Sequence, residues 1–583
     1  MLKYIRKAYL LIIKSLANKN NLRVEQLILY RLDQNNFFLR DKKNLSGIPT
    51  GKSQEYINEQ SLKFYKYLKE VSDCNELTIK NVPLYNLYTR QVKLKLAGIL
   101  RCAYRIQNHS NSSHQPIQIV SDKQSASIFR HALTFINFEE KRILWKINFL
   151  LSCLVTINSL VLRLLSLIKM FTTNPTLPDQ YFIKDVDPDL YNIVIALPRR
   201  NPMNFYLTYV KQFEGRFNII LYCHGAFKGL PESYKIVKIK KRFAVIKGIF
   251  AINALFLNTK SYIHDILIIF KYHFNLSISL DIVDEIFKNK VDILINRLQT
   301  NVVDNYLAIK ARSEKAFILG DIFEEIFFCD SLVLSSRSKY TAEVKHIFND
   351  QARIAYKGID SLINYRLKGF NNENEHYLHD LLSIDQDKKI IFYASDPSKE
   401  ESQRYFSEKF LIEQIKNRNE YCLVIKTHAQ DNGRITNYAF LDSNQPENTI
   451  LIGDILQKKD NTSKVFNFFQ SFNFNSAIAS SDAFLTTSSS SILQALKIGV
   501  KSGIIDKFNN GYHGYLTNYD IVKIIFDGSD LDQFLDNRHS KPSEELLSYL
   551  GLGAQNENFD ICSHVLRCYK DFQLESNIKV ISK

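Results

Sequence analysis

The chain has 583 residues, several times what one hydrophobic core requires, and the usual ~150 residues per domain divides it into two to four units. A hydrophobic fraction of 45% with 40 Phe and 31 Tyr excludes wholesale disorder, and Gly 19 with Pro 12, about 5% together against the usual ~12%, excludes collagen-like and Pro-rich architectures. The net charge of +16 favours anionic partners (phosphorylated substrates, nucleic acid or anionic lipid) without choosing among them.

Residues 1–172 read as a mainly helical region with polar interruptions and one strand-like run, PIQIVSD at 116–122. Its start, MLKYIRKAYLLIIKSLANKNN, lacks a cleavage site of small residues and fits either an amphipathic helix in the headgroup layer or one docked on its own domain. The apolar stretch from Ile147 to Phe171 is broken by Asn148, Asn158 and Arg163, and its uninterrupted part is shorter than the ~18 residues of a spanning helix. With Lys141, Arg142 and Lys146 before it, it suits a helix half-sunk in an anionic leaflet or a buried interdomain helix.

After the linker-like TTNPTLPDQ at 172–180, short apolar runs alternate with helix-length stretches: NIVIALP, FNIILYC, YKIVKI, FILGD and SLVLSS. A second series follows NNENEH at 371–376: KIIFYAS, YCLVIKTH, NTILIGD, DAFLTTS, VKSGIID and VKIIFDG, with a helix expected from Ser398 by the Ser398/Glu401 capping-box spacing. Fully apolar strands separated by helices predict parallel sheets covered on both faces. The fold class is therefore α/β, with two Rossmann-like doubly wound domains facing a cleft, the GT-B arrangement: one at 182–365, a second at 386–535, and a helical tail at 536–583 packing back. Eight cysteines without a CxxC pair read as reduced residues of a cytoplasmic protein. Cys562, His564 and Cys568 are three candidate ligands without a fourth, so no metal is expected.

The most informative stretch is DAFLTTSSSSILQALKIGVKSGIID, 482–506. A buried strand runs into Thr486, Thr487 and Ser488, Ser489, Ser490 and Ser491, and a helix is predicted to start near Ser490. Hydroxyls and backbone N–H groups at such a strand-to-helix turn suit a phosphate, although a simple serine cap has the same appearance. Upstream, Lys426 and His428 end another strand of the same sheet, offering an ammonium and an imidazole donor to that edge.

On these residues, the stretch 386–530 resembles bacterial GT-B glycosyltransferases of capsule and lipopolysaccharide assembly: capsular Kdo transferases, bacterial sialyltransferases and CDP-glycerol glycerophosphotransferases. Their K-x-H-P strand end is matched by Lys426, Thr427 and His428, with Ala429 in place of proline, and their serine turn by Ser488 to Ser491. The resemblance implies transfer from a nucleotide-activated sugar, with a CMP-sugar slightly favoured, to a lipid-linked or oligosaccharide acceptor of a surface polysaccharide, and makes 182–365 the acceptor domain and 386–535 the nucleotide-sugar donor domain. It implies no cofactor and no metal, and a cytoplasmic enzyme in peripheral contact with an anionic membrane.

Gln494 stands where many of these enzymes carry a glutamate to the donor ribose, and Ser395 ends the first donor-domain strand. Inversion would need a base near the acceptor hydroxyl. The candidates at strand ends of the first unit are His224, Asp321 and Glu324, and Arg199 and Arg200 are candidates for an anionic acceptor. Two other readings of the chain are a sugar-nucleotide epimerase of the same fold and a basic nucleic-acid-binding protein. No recognition helix or aromatic–basic repeat speaks for the latter, so no nucleic-acid partner is expected.

Overall fold

The computed structural model describes residues 25–33, 36–39, 52, 54–71, 78–79, 82–112, 117–138, 143–150, 152–154, 157, 179–183, 186–197, 209–224, 234–237, 280, 283–296, 302–321, 329–334, 353–356, 367, 375–395, 401–427, 446–453, 465–467, 472–487, 489–506, 516, 521–537, 541–552 and 559–581. The basic amino terminus and most of 147–171 lie outside these residues. Among the described residues, no helix is long and apolar enough to cross a membrane.

The first elements are β1 (Glu25–Asp33), β2 (Asn36–Leu39), α1 (Gln54–Val71), the short antiparallel pair β3 (Thr78–Ile79) and β4 (Val82–Pro83), α2 (Leu84–Ser112), β5 (Ile117–Ser121), α3 (Lys123–Phe135) and β6 (Ile143–Ile147). Beside its helices, and in place of the single expected strand, this region holds a four-stranded sheet in the order β2-β1-β5-β6, with only β2 antiparallel to its neighbour. The strands β1 and β6 escape sequence reading for different reasons. Glu25, Gln26, Arg31 and Asp33 leave β1 a four-residue apolar centre, and β6 abuts a long apolar run of helical appearance. In α2, Val92, Leu96, Ile99, Leu100, Ala103 and Ile106 recur at three- and four-residue spacing and are all buried.

The second sheet contains β7 (Asp179–Ile183), β8 (Tyr191–Leu197), β9 (Phe217–His224), β10 (Lys235–Val237), β11 (Ile293–Asn296), β12 (Phe317–Asp321), β13 (Ser331–Leu334) and β14 (Ile354–Tyr356), with α4 (Val302–Ser313) between β11 and β12. Its order is β10-β7-β9-β8-β11-β12-β13-β14. The sheet is mixed, not purely parallel, because β7 pairs antiparallel with both β10 and β9 at one edge. Alternate residues face different cores. Val194, Ala196, Ile220, Tyr222 and Leu294 join the α1–α3 side chains in one cluster, whereas Ile193, Ile195, Ile219, Leu221 and Ile293 face the other way. The amino-terminal helices and this sheet therefore share one core.

The third sheet is parallel throughout. It comprises β15 (Lys389–Ala394), β16 (Tyr421–Lys426), β17 (Thr449–Gly453), β18 (Val465–Asn467), β19 (Ala483–Thr486), β20 (Ser502–Ile505) and β21 (Val522–Ile525), in the order β18-β17-β16-β15-β19-β20-β21. Its helices are α5 (Tyr377–Leu382), α6 (Glu401–Ile415), α7 (Phe474–Ala479), α8 (Ile492–Ile498), α9 (Gly528–Asp536) and α10 (Glu544–Tyr549). One core takes Phe392 and Phe484 with residues of α5, α7 and α8, and the opposite one takes Ile391, Tyr393 and Leu485 with α6 and α9. The fold is α/β with two doubly wound sheets, as the apolar strand runs predict. The capping serine proposed for α6, Ser398, lies outside the described residues.

The final helix, α11 (Ile561–Ile581), leaves the third sheet and covers the second. Ile561, Cys562, Val565 and Tyr569 form its apolar stripe; Tyr569 donates to Asp292 Oδ1 at 3.3 Å, and Arg353 meets both Glu575 carboxylate oxygens at 2.7 Å. His564 is buried on this helix, with Cys568 Sγ 3.5 Å from its Nε2. Burial, aided by the neighbouring Arg567 charge, lowers the His564 pKa from 6.5 to about 4, so the folded state holds the ring neutral. Stability from this histidine is present above pH 6.5 and declines as the pH falls toward 4. His564→Leu is expected to flatten the melting-temperature profile between those pH values, removing roughly 1–2 kcal/mol of acid sensitivity after solvent screening; an unchanged profile in acid melts would contradict this.

Candidate functional site

The strand order of the third sheet reverses at β15: β16, β17 and β18 extend to one side, while β19, β20 and β21 extend to the other. Such a switch point opens a crevice at the carboxyl ends of the central strands, where ligands of open α/β sheets bind. The register is explicit. Ala394 at the end of β15 is level with Lys426 on β16 and with Thr486 on β19, so the latter two lie two strand spacings apart, about 9–10 Å.

On the β19 side, hydroxyls build the turn. Thr486 Oγ1 donates to the Ala394 carbonyl at 3.1 Å and accepts the Ser489 N–H at 3.2 Å, fastening the turn to β15. Ser489 and Ser491 share a hydrogen bond between their hydroxyls at 2.7 Å, and Ser491 N–H donates to Ser489 Oγ at 3.3 Å. Ser489 and Ser490 keep part of their surface accessible, whereas Ser491 is buried. Thr487 is also buried, its hydroxyl 2.8 Å from the Tyr393 hydroxyl. Ser488 lies outside the described residues. The helix begins at Ile492, slightly later than the sequence predicts; Ser491 has helical φ and ψ, and its side chain makes no cap bond.

On the β16 side, the Lys426 ammonium donates to the Thr427 carbonyl at 3.2 Å and lies 5.9 Å and 6.0 Å from the ring centres of Phe472 and Phe474. Phe474 in turn packs on Phe392 of β15, so an aromatic floor positions the cation. His428 lies outside the described residues. Gln494, on the first turns of α8, is buried and donates to Asn475 Oδ1 at 3.0 Å, joining α8 to α7. Ser395 is buried at the end of β15 and donates to Glu408 Oε1 at 2.5 Å.

Sequence reading missed Glu408, Tyr393, Phe472 and Phe474. Glu408 left a signal: it interrupts the inward stripe of α6 three, four and seven residues before Leu411, Ile412 and Ile415, and a carboxylate on an apolar stripe needs a buried partner. Phe474 opens α7 and Phe472 lies just before it, far from Lys426 in sequence, and only tertiary packing brings them under it.

The second sheet has its own switch point at β8, between β9 and β11. His224 ends β9, Asn296 ends β11 and Asp321 ends β12; Asn296 and Asp321 are buried, and Asn296 donates to the Asp304 carbonyl at 3.3 Å. In the order β9-β8-β11-β12, His224 and Asp321 stand three strand spacings apart, about 14 Å. They are alternatives as a base and cannot act as a hydrogen-bonded pair. Glu324, Arg199 and Arg200 lie outside the described residues. Among the described residues, no group of three or more His, Cys, Asp or Glu is placed to hold a metal ion.

No protein-family model matches the chain. No curated protein matches it either. Solved structures with some likeness include a UDP-GlcNAc 2-epimerase from Neisseria meningitidis bound to UDP-GlcNAc, at 11% identity over 67% of this chain and 100% of that one with a TM-score of 0.38. A glycosyltransferase from Rickettsia africae is 12% identical over 67% of this chain and 98% of that one, with a TM-score of 0.34. The S. aureus MnaA structure with UDP is 11% identical over 66% and 97% of the two chains, with a TM-score of 0.39. At this distance the likeness bears on neither family membership nor activity.

Proposed function

We propose that the chain is a glycosyltransferase that binds a nucleotide-activated sugar at the carboxyl edge of the third sheet. The observation that carries this reading is the placing of Lys426 and of Thr486, the residue that fastens the Ser489–Ser490 turn, on either side of the β15 switch point, about 9–10 Å apart at the backbone. A lysine side chain and a serine hydroxyl extending toward each other across that gap can both reach one phosphate, which accepts hydrogen bonds at about 2.7–2.9 Å. As the glycosidic bond to the leaving phosphate breaks, negative charge grows on its oxygens. Preplaced hydroxyls and an ammonium stabilise that charge more than they stabilise the bound donor.

In this reading Thr486, Thr487 and Tyr393 hold the turn, Ser395 and Glu408 hold the end of β15, and Ser489, Ser490 and Lys426 meet the phosphate. The donor is a CMP-sugar, and the acceptor is a lipid-linked or oligosaccharide hydroxyl of a surface polysaccharide, received near the carboxyl edge of the second sheet, where Asp321 or His224 takes its proton. The reaction needs no metal, and the enzyme works on the cytoplasmic side of a membrane.

Melting curves of the full chain with CMP, CDP, UDP and GDP test the reading. A rise with CMP above that with the others, lost in both Lys426→Ala and Ser489→Ala, is the expected result; one hundred times Kd of ligand gives about 2.7 kcal/mol. No shift with any nucleotide, together with salt-sensitive binding to DNA, would remove the transferase reading in favour of a nucleic-acid role.

A further inference from the structure

The carboxyl edge of the third sheet has an aromatic wall that a phosphate alone does not use. Its base is the end of β15, where Ala394 is level with Lys426 on one side and Thr486 on the other. From the serine turn the wall follows α8 to Gln494, which donates to Asn475 at 3.0 Å, and returns through α7 to Phe474 and Phe472 beside the Lys426 ammonium. The chain entering α7 is pinned twice. Asn473 Oδ1 accepts the N–H groups of Asn475 and Ser476 at 3.1 and 3.2 Å, and the Asn473 N–H donates to the Tyr377 hydroxyl at 2.8 Å. Tyr377 also sets its ring against that of Phe472, with 6.3 Å between centres and 52° between planes. Both phenylalanines are therefore held in place, and both are partly exposed.

A nucleotide presents two chemically different ends. The phosphate calls for cations and hydrogen-bond donors, whereas the base is flat and gains from stacking on an aromatic side chain. Three aromatic rings described above stand near this edge. Tyr393 is fully buried and its hydroxyl meets Thr487, and Phe474 packs on Phe392 of β15, ring centres 5.7 Å apart. The third, Phe472, precedes the helix instead of lying in it, and its ring centre is 5.9 Å from the Lys426 ammonium. That span is comparable with a ribose, the group that separates a phosphate held by the ammonium from its base.

We infer that Phe472 is the stacking platform for the nucleobase of the donor. This rests on the proposed function and extends its phosphate contacts to the opposite end of the nucleotide. Since every base has a π face, the ring adds affinity without choosing among bases.

Calorimetric titration of the full chain with CMP, and with ribose 5-phosphate, which keeps the sugar and phosphate but lacks the base, tests it. Phe472→Ala is expected to raise the Kd of CMP about fivefold to hundredfold and to change that of ribose 5-phosphate by less than about twofold, whereas Lys426→Ala weakens both. Phe472→Trp is expected to keep CMP affinity within about threefold. Its added indole, read against the single native Trp145 of the first sheet, is quenched by CMP and not by ribose 5-phosphate. Circular dichroism melts verify that the variants fold, and if Phe472→Ala is destabilised the tryptophan variant decides alone. CMP bound equally by Phe472→Ala and the unsubstituted chain, an equal loss for both compounds, or indole emission unmoved by saturating CMP would each overturn the platform and leave the phosphate contacts standing. Binding of neither compound by the unsubstituted chain would remove the platform and the nucleotide reading together.

Discussion

Lys426→Ala is expected to weaken CMP binding by about 1.5–3 kcal/mol, a tenfold to hundredfold rise in Kd by titration calorimetry, the usual contribution of a hydrogen bond to a charged group. The substitution gives up the hydrogen bond to the Thr427 carbonyl and the two aromatic faces, together about 1 kcal/mol of stability, so the variant is expected to fold and to lose affinity for the ligand. Lys426→Arg is expected to recover little. The planar guanidinium carries its charge on a wider, fixed fork, and the space between the rings of Phe472 and Phe474 suits a compact ammonium. Turnover should fall further than affinity, because charge on the phosphate is greater in the transition state than in the bound donor. Unchanged Kd in Lys426→Ala would remove the lysine from the site.

Gly503→Val is expected to lower stability by about 1–3 kcal/mol or more, read as a lower denaturant midpoint at unchanged slope. Gly503 lies in β20 between β19 and β21, and a Cβ there would stand 2.8 Å from Leu485 Cδ2, 3.1 Å from Ile525 Cδ1 and 3.3 Å from Phe534 Cε2. All three neighbours are buried, so none can swing aside without displacing others. Leu485 directly precedes Thr486, and relief by shifting β19 would carry the serine turn with it. The variant should therefore also bind nucleotide more weakly even when folded. Stability equal to that of the unsubstituted chain would show that this layer is loosely packed.

The strands β15, β16 and β17 of the third sheet were readable because each is apolar on both faces. The runs KIIFYA, YCLVIK and TILIG need no periodicity to announce burial between helix layers. The short strands β11, β14 and β18 were not readable. Three or four residues such as ILIN or IAY carry no pattern of their own, and pairing to a neighbour already in place makes them strands. At the candidate site, the sequence pointed to residues by their place at strand ends, which is how Lys426 and the serine turn were found on one edge. It could not tell a hydroxyl available to a ligand from one engaged by the fold. Only the packed structure separates the partly accessible Ser489 and Ser490 from the buried Thr487, whose hydroxyl meets Tyr393, and from the buried Gln494, which joins Asn475. Nor could it foresee that β9 and β12 are kept apart by β8 and β11, which divides His224 from Asp321.

The return of α11 to the second sheet makes that domain discontinuous along the polypeptide: its layers come from residues before 357 and again from 559 onward, with the whole third sheet inserted between. On a ribosome, the second sheet must wait, one face bare of Ile561, Val565 and Tyr569, until α11 emerges after the whole third sheet. No single cut between the sheets yields two complete pieces, and a fragment meant to isolate the earlier domain would have to splice α11 onto it.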